Sequence, residues 1–422
     1  MQADQLVKHL DEFEYALDDA AQVYCEGSRL CDIVSQAPGD DLNKTTTLVL
    51  QEAIESFKVR SGVSYGGIGL ESAVTQEDIK SISLEGFKDF ILRVWNAIKS
   101  AFVAMVKRIK EFFFGAEKQA QEIKEDLDKA KKDFKDIEKE IFKADKEATA
   151  LSVEIDSPSP YLIHKTSYKG SKELLEVSLH DMVANMANYA MTSREHHLLE
   201  YVRDFKEDIL KLVDSIDTGV AAKDVSSDVF SILNNFLSEK KLSSEQVDNT
   251  RKLKDVMVGD EFESEYGNKR YKLHFGISKH GTVSGVDVLK TEQIISKVHV
   301  VKNIEMLTIT GVEAQDIKHF NNALSDNYTE LINYVKIVKE VVGIGGAVQS
   351  MISDIENKAV DGIDSKHVVT LSVINKAISA VVKLLAVLQS DVTTVLKEHT
   401  DLYLTFNDLF KEQILSQSTD WQ

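Results

Sequence analysis

Two tripeptides stand out as sites of chemistry, and the chemistry is done to them rather than by them. Gly69-Leu70-Glu71 is followed by Ser72, and Ser83-Leu84-Glu85 is followed by Gly86. A small residue, Leu and Glu, twice between an acidic segment and a basic helix, read as a candidate cleavage zone. The same small-X-Glu pattern recurs at Ala53-Ile54-Glu55, Ser152-Val153-Glu154, Ser193-Arg194-Glu195 and Ser243-Ser244-Glu245. The setting distinguishes the first two. Both lie in or beside SGVSYGGIGLESAVTQEDIKSI, residues 61–82, a Gly/Ser-rich stretch without periodicity. Such composition reads as a flexible loop, in which a protease can hold an extended chain.

Other chemistry finds little support. His196 and Glu200 stand one helical turn apart, as metal ligands can, but there is no HExxH pattern and no third ligand is implied. Gly66-Gly67-Ile68-Gly69 and Gly343-Ile344-Gly345-Gly346 lack the following Lys-Ser/Thr and the βαβ setting of a phosphate loop. They read as a linker and an interhelical turn. No Ser/His/Asp or Cys/His signature occurs. The expectation is a non-enzymatic chain without metal or cofactor.

The elements around the two tripeptides follow an order. Residues 1–85 carry a net charge of −10 within a chain of 422 residues and net charge −19. Apolar residues there keep helical spacing (Leu6, Leu10, Phe13 and Leu17, then Val49, Ala53 and Phe57), which predicts two or three helices in 1–60. Residues 1–71 read as an acidic helical leader and 72–86 as a cleavage zone. Ser83 is expected to cap the next helix.

That helix, 87–114, is basic and aromatic. Phe87, Ile91, Val94, Ile98, Phe102, Met105, Ile109 and Phe112 form an apolar stripe, which Phe90 and Trp95 adjoin. Lys88, Arg93, Lys99, Lys107, Arg108 and Lys110 form the opposite face. Three readings fit: a core helix with snorkelling lysines, a helix that binds or enters a membrane, or a nucleic-acid contact through the basic face. Gly115 is expected to break or bend it. Residues 117–152 then give a heptad seam, Ile123, Leu127, Ala130, Phe134, Ile137, Ile141, Ala144, Ala148 and Leu151, which can pair within one chain or between chains.

Ser157-Pro158-Ser159-Pro160 is the strongest boundary, and 87–156 and 161–422 are expected as separate units. Only three prolines occur, none after Pro160, so long helices are permitted. Helices are expected at 172–215 (two, hinged near Thr192-Ser193), 225–237, 314–342, 348–358, 366–397 and 401–415. The one convincing β signal is a hairpin or small meander at 261–288, with Phe262 and Tyr266 facing Tyr271, Leu273 and Phe275 across Gly267-Asn268. The fold class is therefore mainly α, with long helices, helical hairpins and a small antiparallel β insert.

Composition narrows the function classes. Strong acidity argues against a dedicated DNA-binding protein, since phosphate neutralisation dominates such affinity. The two cysteines, Cys25 and Cys31, match no metal motif and make no disulfide framework. The N-terminus lacks a secretory signal pattern, and no run of 18 uncharged apolar residues occurs.

The leader, the SLEGFKDF start and the amphipathic and charged helices after it resemble internal head proteins of giant tailed bacteriophages. In that group a prohead protease trims capsid-interior proteins after Ser/Ala/Gly-X-Glu, a pattern that Gly69-Leu70-Glu71 and Ser83-Leu84-Glu85 fit. The related proteases of smaller tailed phages prefer Leu or Ile two residues before the Glu, which neither site has. The resemblance covers about residues 60–160. It implies a structural protein made in the host cytoplasm as a precursor and cleaved after Glu71 or Glu85. Its mature form would be packaged inside the virion head with the genome, with ejection a further step. The implied partners are the prohead protease, capsid or core proteins and packaged DNA. A membrane after ejection and a second copy through 117–152 complete the set. The rival reading is a membrane-active, pore-forming-like protein acting through the 87–114 helix.

Overall fold

The computed structural model describes residues 3–36, 76–143, 151–156, 158, 169–170, 174–183, 193–217, 232, 262–264, 269–280, 283–295, 305–358 and 365–419. The protein is mainly α, with small β elements, as its periodicity predicts. Five long helices are α1 (Ala3–Gln36), α2 (Gln76–Lys143), α3 (Ser193–Asp217), α4 (Ala314–Lys358) and α5 (Ser365–Thr419). The strands are β1 (Leu151–Asp156), β2 (Lys169–Gly170), β3 (Leu174–Ser178), β4 (Phe262–Ser264), β5 (Lys269–His280), β6 (Val283–Ile295) and β7 (Met306–Val312).

Helices α1, α2, α4 and α5 pack as an antiparallel bundle. The α2–α4 register is straight over many turns. Trp95 meets Glu356, Val106 meets Gly345, Lys124 meets Thr329 and Lys131 meets Asn322. From Trp95 to Lys131 this seam runs about 54 Å at 1.5 Å per residue. Along α4 and α5, Phe320 packs edge-on to His399 and Tyr403, and the Tyr334 hydroxyl donates to the Leu385 carbonyl. Helix α3 lies on α4 through Val202, Phe205 and Ile209, with Lys206 paired to Glu340. One hydrophobic cluster runs from Leu6 in α1 to Phe410 in α5. The segments that the sequence divides at Pro158 thus share a core.

Several expected breaks are absent. Gly115 lies inside α2, which continues to Lys143. Its position is exposed and a Cβ there would meet nothing, so the surrounding packing carries the helix past it at a cost of about 1 kcal/mol. The helix also starts at Gln76, not at Ser83, so the expected open zone is helical over 76–86. Gly343 to Gly346 likewise continue α4 instead of turning the chain. Gly345 has a packing reason: a Cβ there would lie 2.8 and 2.9 Å from the Val106 methyls, so Gly lets α2 and α4 approach. Residues 366–397 and 401–415, expected as two helices, are one.

The β content exceeds expectation. The insert is a three-stranded antiparallel sheet, β4-β5-β6, in which Phe262 opposes Tyr271, as expected; its last strand continues to Ile295, past the expected limit of 288. Tyr266, Gly267 and Asn268 lie outside the described residues. A second sheet, β1-β7-β3-β2, was not anticipated. Leu151 begins its first strand instead of closing the heptad helix, and 174–178 is a strand instead of a helix. Central strand β7 pairs antiparallel with β1 and parallel with β3. It buries Leu307 and Ile309, then shifts at Gly311 (φ 67°) to bury Val312. That bulge sits opposite the register shift between Leu151 and Val153. The expected 225–237 helix falls almost wholly outside the described residues.

Candidate functional site

Among the described residues, the most specific arrangement of charge lies where the acidic helix α1 meets α5. Helix α1 presents Leu6, Leu10, Leu17, Ala21 and Tyr24 at helical spacing, and all are buried between α2 and α5. Each large side chain of that set contributes about 1.5–3 kcal/mol of burial. Tyr24 stacks at a tilt on Trp95, with ring centroids 6.4 Å apart. Helix α5 is unusual in the other direction. Every residue from Leu371 to Lys383 is buried, on all sides, as in the middle of a large core.

Two cations sit inside that apolar run, and α1 supplies carboxylates to both. Lys383, 9% exposed, lies 2.5 Å from Asp11 and 2.7 Å from Glu14. Lys376, 6% exposed, lies 2.6 Å from Asp18, and the Ser372 hydroxyl donates to Asp18 at 2.7 Å. A buried ammonium without a carboxylate costs several kcal/mol, so α1 is part of what permits α5 to be buried. Burial pushes the Glu14 carboxyl above its ordinary 4.5, even against the charge and hydrogen bond of Lys383.

The expected membrane or partner helix lies in this same assembly. Val94, Trp95, Ile98, Phe102, Ile109 and Phe112 are all buried in the bundle. The side chains of Phe87, Lys88, Phe90 and Ile91 lie outside the described residues. The Trp95 indole donates to Glu356 at 2.8 Å, and Lys99 pairs with the same carboxylate at 2.6 Å. Burial alone would raise the Glu356 pKa, but the hydrogen bonds from Lys99 and Trp95 and the Lys99 charge outweigh it, and the pKa falls below 4.5. Arg93, Lys107, Arg108 and Lys110 face outward, with Lys107 and Arg108 near Glu111. The apolar stripe is thus core in this conformation, and the basic face is its solvated side.

Of the two cleavage tripeptides, Gly69-Leu70-Glu71-Ser72 lies outside the described residues. Ser83-Leu84-Glu85-Gly86 lies within the backbone of α2. As far as Phe134, the heptad seam is filled from within the chain. Leu127 and Phe134 are buried, Asn321 of α4 donates to the Leu127 carbonyl, and Phe134 meets Phe410 of α5 edge-on at 6.2 Å.

A cavity of about 970 Å³ opens where α1 begins, between β1 and α5. Asp4, Glu154, Asp156, Glu398 and Asp401 line it with Lys397. No group of three metal-ligating side chains occurs among the described residues, and no described helix is long and apolar enough to cross a membrane. The side chains of His196 and Glu200 lie outside the described set.

No protein-family model, curated protein or solved structure matches this chain. Its functional reading therefore rests on its own residues. The α1–α5 charge pairing was not legible beforehand, because the partners are more than 350 positions apart. The one available signal was two lysines in an otherwise apolar helical run.

Proposed function

We propose that this chain is a non-enzymatic virion protein of the head interior of a giant tailed bacteriophage, made as a precursor and cut after Glu71 or Glu85 by a prohead protease. The observation that carries the reading is the leader itself. Its helix α1 is acidic and packs between α2 and α5 as one helix of the bundle, and the segment joining it to α2 contains Gly69-Leu70-Glu71. Cleavage after Glu71 is favoured over cleavage after Glu85, because a protease binds an extended chain and residues 83–86 are helical. Loss of residues 1–71 would remove much of the acidity and lower repulsion against packaged DNA in a confined volume. Arg93, Lys107, Arg108 and Lys110 are among the outward-facing cations that DNA or capsid and core proteins could meet.

Mass-spectrometric mapping of the N-terminal peptide of the native protein, beside the recombinant chain, tests this. A native start at Ser72, or at Gly86, supports processing. Particles that carry only chains starting at Met1 or Gln2 end the proposal.

One observation favours a second reading, membrane activity. Removing α1 uncovers the apolar 371–383 face of α5 with its two lysines, a composition suited to an anionic bilayer. On this reading, dye release from anionic vesicles rises after leader removal. Absence of vesicle binding by both forms rules it out.

A further inference from the structure

The α1 carboxylates and the α5 polar side chains match in spacing as well as in sign. Asp11, Glu14 and Asp18 step by three and four residues along α1, and Ser372, Lys376 and Lys383 lie along one line of α5. The helices run antiparallel, so Asp18 meets Ser372 and Lys376 while Asp11 and Glu14 meet Lys383. A slide of α1 by four residues sets Gln22 against Lys376, or sets Val7 and Leu10 against Lys383. A slide of three sets Ala21 or Tyr15 against Lys376. In each case one buried ammonium loses its carboxylate. Apolar contact is non-directional and tolerates such slides; a buried charge does not. The pairing therefore fixes the register of a helix whose apolar face alone would not.

We propose that the groove between α2 and α5 is a binding site for an acidic amphipathic helix with carboxylates at i, i+3 and i+7, that α1 is its ligand, and that α1 stays bound as a separate peptide after the chain is cut. This rests on the processing reading above, yet it is tested without the native protease. Cutting is then not release. The covalent link is lost in one step, and the leader leaves only when something displaces it.

The test uses the full chain with a site-specific protease sequence in place of residues 61–66. After cutting, gel filtration under native conditions is expected to show the leader fragment eluting with the body. A fluorescent peptide of residues 3–36 is expected to exchange into the cut protein. The same peptide carrying Asp11→Asn, Glu14→Gln and Asp18→Asn is expected to compete at least tenfold more weakly. Separation of the fragment on cutting overturns the proposal, and so does equal competition by the triply substituted peptide. A native N-terminus at Met1 would end the processing reading and leave these outcomes unchanged.

Discussion

Replacing Lys383 by Met removes the cation but keeps the length and apolar stem of the side chain. Two carboxylates lose their partner, and they are not equivalent. Asp11 is 63% exposed, so its pairing is screened and contributes about 0–1 kcal/mol. Glu14 is 15% exposed and becomes a buried charge without a counterion. It has one escape, which is to take up a proton. At pH 7 that escape costs about 3.4 kcal/mol, from 1.36 kcal/mol per unit over the interval above 4.5. The penalty from Glu14 is therefore capped near that value at pH 7 and near about 0.7 kcal/mol at pH 5. The sign is fixed by linkage. An acid whose folded pKa is raised contributes stability below its unfolded value and loses it as pH rises through the folded value. Lys383→Met raises the Glu14 pKa further, so the variant loses more than the wild type between pH 5 and pH 7. Urea midpoints at the two pH values, for wild type, Lys383→Met, Glu14→Gln and the double variant, measure it. The expected result is a loss of about 2–4 kcal/mol at pH 7 that shrinks at pH 5 and is mostly restored by Glu14→Gln. A loss equal at both pH values and untouched by Glu14→Gln would refute the reasoning.

Three further outcomes are expected. Gly345→Ala drives a Cβ into the Val106 methyls and lowers stability by about 1–2 kcal/mol, whereas Gly343→Ala enters open space and raises it by about 0.5–1 kcal/mol; equal urea midpoints for the two variants contradict this. Glu356, with its lowered pKa, stabilises the fold above pH 4.5 and stops doing so as pH falls through its folded value, so Glu356→Gln flattens stability against pH in the acid range; an unchanged acid limb removes the claim. Burial pushes the Tyr328 and Tyr403 phenols up to about 12, so ultraviolet titration of the folded protein leaves at least these two of the twelve tyrosines un-ionised well past pH 10; ionisation of all twelve near pH 10 contradicts their burial.

Periodicity carried most of the helical fold. The stripe from Val94 to Phe112 and the seam from Leu127 to Phe134 are buried as their spacing requires, because a long apolar stripe has few other ways to leave water. Punctuation carried less. Gly115 and the Gly343–Gly346 run suggest turns by local propensity, but a glycine costs a helix about 1 kcal/mol, less than the packing of the turns beside it contributes. Strand β7 (MLTITGV) is short, its alternation ends at a Gly311 bulge, and its neighbours β1 and β3 come from distant parts of the chain. Nothing local marks it. The two cleavage tripeptides were readable as residues, and Ser83 as the start of a helix, whereas the extension of that helix back to Gln76 was not. The register-setting pairs between α1 and α5 lay beyond any local pattern.

The wide separation of α1 from its counterions also sets a timetable. Asp11 and Lys383 are 372 positions apart, and Asp18 and Ser372 are 354 apart. At about 5–20 residues per second, α1 leaves the ribosome about 20–75 s before the segment that pairs with it exists. Through that interval its leucines face water, and its excess of acids helps keep it in solution. A protease that acted during synthesis would release α1 before its binding groove had formed, and the two lysines of α5 would reach the core with no carboxylate waiting. On the proposed processing reading, productive cutting would therefore follow completion of the chain, and the late arrival of α5 would set its earliest time.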